Sequence, residues 1–158
     1  MAASPFFLYL AVMLESLGLL GLFIACALSA TVVPFSSEAV FTAALLTAHP
    51  RWLLVLVASA GNTAGGMVSF LMGWLVKWAW LEKWFHIKRE KLDKLSAKVS
   101  RYGVWAALLT WLPLVGDPIA IAMGLMRTSP WKTALLMFVG KALRYAVIAG
   151  VINLAGIL

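Results

Sequence analysis

The sequence predicts an all-α integral membrane protein, an inverted repeat of two re-entrant helical hairpins, each followed by a transmembrane helix, with amphipathic interfacial helices. Three observations lead there. The first is composition: the 158-residue chain is 63% hydrophobic and 12% charged, with mean hydropathy +0.96. A soluble domain is nearer half apolar and a quarter charged, and so small a globule cannot bury the excess. The second is a pair of polar breaks, TVVPFSSE (31–38) and TWLPLVGD (110–117), each placing a proline and an acid inside an apolar run. The third is that the breaks are echoes. A shift of 79 residues takes Thr31 to Thr110, Pro34 to Pro113, Glu38 to Asp117, Trp52 to Trp131 and Gly61 to Gly140 without a gap.

The elements follow in order within a single membrane domain, 1–158. Repeat unit one occupies about 5–80, with a leading helix, a hairpin over 22–48 and a transmembrane helix over 52–80. That last run is long enough for one tilted crossing, which needs about 20 apolar residues. Next comes a stretch, 82–101, where Trp84, Phe85, Leu92, Leu95 and Val99 alternate with charges. It reads as an amphipathic helix on the membrane surface. Repeat unit two occupies about 84–158, with a hairpin over 103–126 and a transmembrane helix over 131–155 interrupted by Lys141 and Arg144.

Charge decides how the broken segments meet the membrane. Eight of the thirteen basic residues lie between Lys77 and Arg101, which the positive-inside rule places in the cytoplasm. The net charge of +7 is therefore a local topogenic signal and not a nucleic-acid surface. Segment 103–126 has Arg101 before it and Arg127 and Lys132 after it, so a hairpin that enters and turns back keeps both flanks cytoplasmic. Arms of about ten residues span about 15 Å, half the hydrocarbon thickness. At the turn, Pro118 biases Asp117 away from helix and Gly116 permits a tight bend. Helix 52–80 then starts on the outer side, so unit one enters from the opposite face. Inverted repeats with broken helices are a transporter architecture, and the breaks mark the binding site.

Glu38, Asp117, Lys141 and Arg144 lie where membrane proteins rarely keep charge. Lys141 is ten residues past Trp131, about 15 Å along a helix and near the midplane, and Arg144 follows three residues on. Four unpaired central charges would cost on the order of 10–14 kcal/mol. They must pair, be hydrated in a cavity, or be neutralised. Either the acids lock hairpins to helices, or the pairs open for a substrate. Asn62, the repeat-mate of Lys141, is interhelical glue or a site residue, and Gly61-x3-Gly65 signals close helix packing.

Other features exclude function classes. One cysteine, Cys26, rules out an intramolecular disulfide and a cysteine-based metal cluster. No Lys or Arg precedes Arg51, so the basic start of a signal peptide is missing. Trp52, Trp74, Trp78, Trp80, Trp84 and Trp131 cluster at expected helix ends, where indole anchors to the headgroup level. His49 and His86 have no metal-ligand spacing, and no HExxH, GxSxG, Walker A or CxxC pattern is present. No enzyme activity, cofactor or metal is expected.

The hairpin VVPFSSE, the helix GNTAGGMVSFLMG, and YGVWAALLTWLPLVGDPIAIAMGLMR with FVGKALRY resemble the DedA/VTT (SNARE-associated Golgi-like) membrane proteins. They are most similar to the small YqaA-like bacterial branch, with its LPxxGDP hairpin and GNTxGG helix. The resemblance spans about residues 20–150. It implies two oppositely oriented re-entrant hairpins, a bacterial inner-membrane location and a role in lipid movement. Relatives translocate carrier lipid phosphates or phospholipids, eukaryotic ones scramble lipids, and some are discussed as proton-dependent. By position, Glu38 is the acid of the first hairpin tip. The wider family often has an arginine in its second hairpin, where this chain has Gly116–Asp117, so Arg144 or Arg127 would have to supply the cation.

The expected function is a lipid flippase or scramblase moving a phosphate-bearing lipid, with proton coupling left open. Glu38 and Asp117 are its proton or charge relay, and Arg144, Lys141 and Arg127 its phosphate ligands. Asn62, Ser36 and Ser37 are polar cavity residues, and Pro34, Pro113, Gly116 and Pro118 form the hairpin tips. The partners are membrane lipids with anionic or phosphate headgroups and no nucleic acid; a homo-oligomer is left open. The alternatives are a non-transporting membrane-integrity or assembly factor, and a proton-coupled antiporter of a small solute or ion.

Overall fold

Apolar runs broken by proline and glycine build short and long helices, and the computed structural model is all-helical, with no strand, over the residues it describes: 5–30, 37–75, 89–112 and 115–155. The helices are α1 (Pro5–Ser29), α2 (Ser37–Ala44), α3 (Arg51–Leu75), α4 (Arg89–Tyr102), a 3₁₀ helix (Gly103–Trp111), α5 (Gly116–Leu125) and α6 (Pro130–Leu154). Pro34, Ser36, Pro113 and residues 82–88 of the expected amphipathic helix lie outside the described residues. α3 and α6, each of 25 residues, are long and apolar enough to cross a membrane.

The chain divides into two compact units: Met1–Asn62 with Ala142–Leu158, and Thr63–Lys141. The cuts fall after Asn62 and after Lys141, which are themselves 79 residues apart. α3 and α6 each give one half to either unit, so every hairpin is cradled by half of both long helices.

In the first unit, Leu22 and Cys26 of α1 meet Val40, Phe41 and Ala44 of α2. Leu54 and Ala58 of α3 and Tyr145 of α6 complete the core. The spacings of three and four are those of one helix face. Gly61 lies so close to α1 that a Cβ would fall on the Phe23 carbonyl. Arg51 Nη1 donates to Asn153 Oδ1 at 2.7 Å, tying the start of α3 to the end of α6.

The second unit is built round α5. Ile119, Ala120, Ile121, Ala122, Met123 and Gly124 are all buried, and six consecutive helical residues point in every direction. Phe70, Val99, Ala106, Ala107 and Met137 enclose them. Gly73 of α3 lies against the Ile121 carbonyl and Gly124 of α5 against the Phe70 carbonyl, so each helix uses a glycine to receive the other's backbone.

Two breaks need glycine for its backbone. Gly18 (φ 54°, ψ −129°) kinks α1 into two helices, and Gly103 (φ 57°) separates α4 from the 3₁₀ helix. Each thus precedes the first arm of a hairpin. The expected effect of Pro118 is corrected here: it does not hold Asp117 out of helix, because both lie in the first turn of α5. A first-turn proline loses no hydrogen bond, since that N–H has no partner inside the helix.

Trp131, Leu135, Val139, Leu143, Val147 and Val151 form an exposed apolar row every four residues along α6. Such a row suits lipid; water would not stabilise it. At the α3–α5 crossing, Gly73→Ala and Gly124→Ala are each expected to destabilise the protein by about 1–3 kcal/mol. Thermal unfolding of the purified protein in detergent checks this; alanine tolerated at both positions would mean the helices are not that close.

Candidate functional site

Helix α2 starts at Ser37, so Glu38 sits in its first turn, where a carboxylate complements the helix dipole. Its side chain forms an ion pair with the Arg144 guanidinium of α6. Beside the pair, Phe41, one turn along α2, packs on Tyr145 with ring centroids 4.7 Å apart and planes at 47°. Arginine and tyrosine are adjacent on α6, as acid and phenylalanine share one face of α2, so the crossing is clamped by one polar and one aromatic contact. The pair is lopsided in exposure: Arg144 is 15% exposed and Glu38 43%.

Behind it lies a buried polar hub. Asn62 Nδ2 of α3 donates to the Tyr145 hydroxyl at 2.9 Å. That hydroxyl is 4.0 Å from Cys26 Sγ of α1 and also hydrogen-bonds with Ser37 of α2. Tyr145 thus joins all four helical segments of the first unit. Asn62 ties α3 to α6, and Cys26 is buried.

The second unit repeats the theme with different groups. Asp117 is in the first turn of α5, and Lys141 of α6 acts on it electrostatically. Lys141 is 4% exposed, and its ammonium lies where a Cβ on Gly66 would be. Gly66 therefore makes room for the amine. Thr63, one turn earlier on α3, is buried, and its hydroxyl has no hydrogen-bond partner among the described residues. Gly116 serves by close approach, since a Cβ there would strike the Thr110 carbonyl at the other end of the turn.

Glu38 is ion-paired with Arg144 of α6, and the positive charge of Lys141, also on α6, acts on Asp117. Lys141 falls in the second unit and Arg144 in the first. Arg127 is at neither place: it is exposed, and its guanidinium stands 5.8 Å from the centre of the Trp74 ring. Sequence reasoning missed Tyr145 and Gly66. A lone tyrosine beside an arginine inside an apolar helix was the available signal for the first; nothing in the sequence singles out Gly66 among its glycine neighbours.

Described residues that are helical, two apolar helices of membrane length and an acid–arginine ion pair between α2 and α6 are features compatible with a membrane protein. The VTT domain profile matches residues 33–154, and the chain belongs to that family. The inner membrane protein YqaA of Escherichia coli K12 is 37% identical over 139 residues, covering 87% of this chain and 92% of that one. The Shigella flexneri protein of the same name is similar to the same extent. A Haemophilus influenzae protein is 34% identical over 135 residues, 78% of this chain and 80% of its own. No solved structure matches significantly.

Replacing the hub hydroxyl tests its structural weight. Tyr145→Phe removes the acceptor of the Asn62 amide and is expected to lower stability by about 1 kcal/mol. Thermal melts of the variant beside Asn62→Leu and the double mutant check the coupling: additive losses would show that the two side chains do not act together.

Proposed function

We propose that this VTT-family protein is a transporter, not an enzyme, and moves a phosphate-bearing lipid across the bacterial inner membrane as a flippase or scramblase. The Glu38–Arg144 pair carries the proposal. A guanidinium presents its N–H donors in a planar fork, and in this pair a carboxylate oxygen is one acceptor at that fork. A lipid phosphate offers the same bidentate geometry and can replace the carboxylate. Glu38, the more exposed partner, then turns to water or takes a proton, and the pair closes again when the phosphate leaves. Asp117 and Lys141 supply a second acid–cation station in the other unit, with the same exchange available to them.

The architecture in this reading is an inverted repeat with re-entrant hairpins, crossing the membrane more than once, with segment 82–101 on the cytoplasmic face. Its support is the fit between the 79-residue shift and the cuts after Asn62 and Lys141. The membrane address comes from the Escherichia coli relative, which is named an inner membrane protein.

A charge swap separates transport from bracing. In liposomes carrying a labelled phospholipid, Glu38→Gln and Arg144→Gln are each expected to slow translocation by about tenfold or more, a barrier change of about 1.4 kcal/mol. The double variant Glu38→Arg with Arg144→Glu restores an ion pair and is expected to recover thermal stability but not transport. Translocation at the wild-type rate in the swapped protein would reduce the pair to a brace and sink the proposal.

A further inference from the structure

Arg127 occupies a backbone conformation that arginine does not favour. Helix α5 ends with Met126 as its cap, and Arg127 follows with φ 51°, the only positive φ at a non-glycine among the described residues. The Arg127 N–H donates to the Gly124 carbonyl at 2.9 Å and the Thr128 N–H to the Met123 carbonyl at 3.2 Å. That pair of bonds is the Schellman termination, whose left-handed position is ordinarily glycine because any L side chain is strained there. Arginine in that place has a reason other than backbone geometry.

Its side chain supplies one. The guanidinium is exposed and stands over the Trp74 indole, at 5.8 Å from the ring centre. A cation held by an aromatic face keeps its N–H edges free for an anion. An exposed cation–π contact is of a size that offsets the strain without exceeding it, so folding alone does not prefer arginine to glycine.

Position names the anion. Trp74 is next to the last described residue of α3, and Trp131 and Lys132, both exposed, begin α6. α3 and α6 are the two membrane-length helices, so their ends mark the headgroup level, where tryptophan anchors. Arg127 lies three residues before α6 and against the end of α3. A cation fixed at that level, with Lys132 nearby in sequence, faces lipid phosphates. We propose that Arg127, braced on Trp74, is a docking residue for the phosphate of an anionic lipid headgroup. The inference rests on the chain being set in a bilayer, and not on transport.

The test uses the full-length protein in phosphatidylcholine nanodiscs. It is titrated with short-chain phosphatidic acid, and in parallel with short-chain phosphatidylcholine and inorganic phosphate. Phosphatidic acid is expected to bind at least about tenfold more tightly than either control. Arg127→Gly relieves the backbone strain, so it is expected to keep or raise Tm while losing about tenfold or more in affinity. Arg127→Gln keeps the strain and loses the charge, and should lose affinity equally. Arg144→Gln is expected to slow transport, while the affinity lost on adding Arg127→Gly is expected to be the same with or without it, so the two readings fail separately. Unchanged affinity in Arg127→Gly with a lower Tm would make the guanidinium only a brace for Trp74. Inorganic phosphate bound as tightly as phosphatidic acid would overturn a lipid site in favour of a free-anion site.

Discussion

The ion pair of Glu38 with Arg144, together with the buried positive charge of Lys141 acting on Asp117, is the constraint that the remaining structure serves. A charge at the centre of a bilayer costs about 2.5–3.5 kcal/mol on insertion scales, so a cation on a membrane-length helix such as α6 is stabilised by a carboxylate beside it. Bringing it there requires an interruption in the apolar helices of each hairpin. A helix start suits the acid, because the first turn favours negative charge. Both Glu38 and Asp117 sit in the first turn of a short helix.

Close approach of backbones makes those short helices tolerable. α5 is buried on every side, and its crossing with α3 depends on Gly73 and Gly124 each receiving the other helix's backbone. The same device lets Gly66 admit the Lys141 amine. Without the small residues the helices would separate, the cations would lose their partners, and the breaks would lose the protein that shields them. Packing and electrostatics are thus one requirement in this fold, satisfied at the same positions.

Much of this was legible beforehand. Hydropathy announced two long spans, and α3 (Arg51–Leu75) and α6 (Pro130–Leu154) are found where the apolar runs lie. The acids, the cations and Asn62 were picked out because polar groups in oil are conspicuous by type alone. Tyr145 was not, because its ring passes for a core aromatic and only contacts with Asn62, Cys26 and Ser37 reveal its hydroxyl as a hub. Pro118 was read as a helix breaker at Asp117, and the structure uses it in a first turn, where proline is harmless. Arg127 was visible as a cation, but its left-handed backbone was not, since arginine gives no local signal for it.

The sequence by itself determined the membrane class, the helical content of the described residues and the positions of the acids and cations. These follow from composition, run length and spacing, which are local properties. Tertiary structure alone decided that Arg144 is the cation paired with Glu38. Lys141 and Arg144 are three residues apart, about 60° round a helix, and either could have faced either hairpin. The choice was made by packing: Gly66 leaves space for one amine, and the Phe41–Tyr145 contact turns the neighbouring arginine toward Glu38.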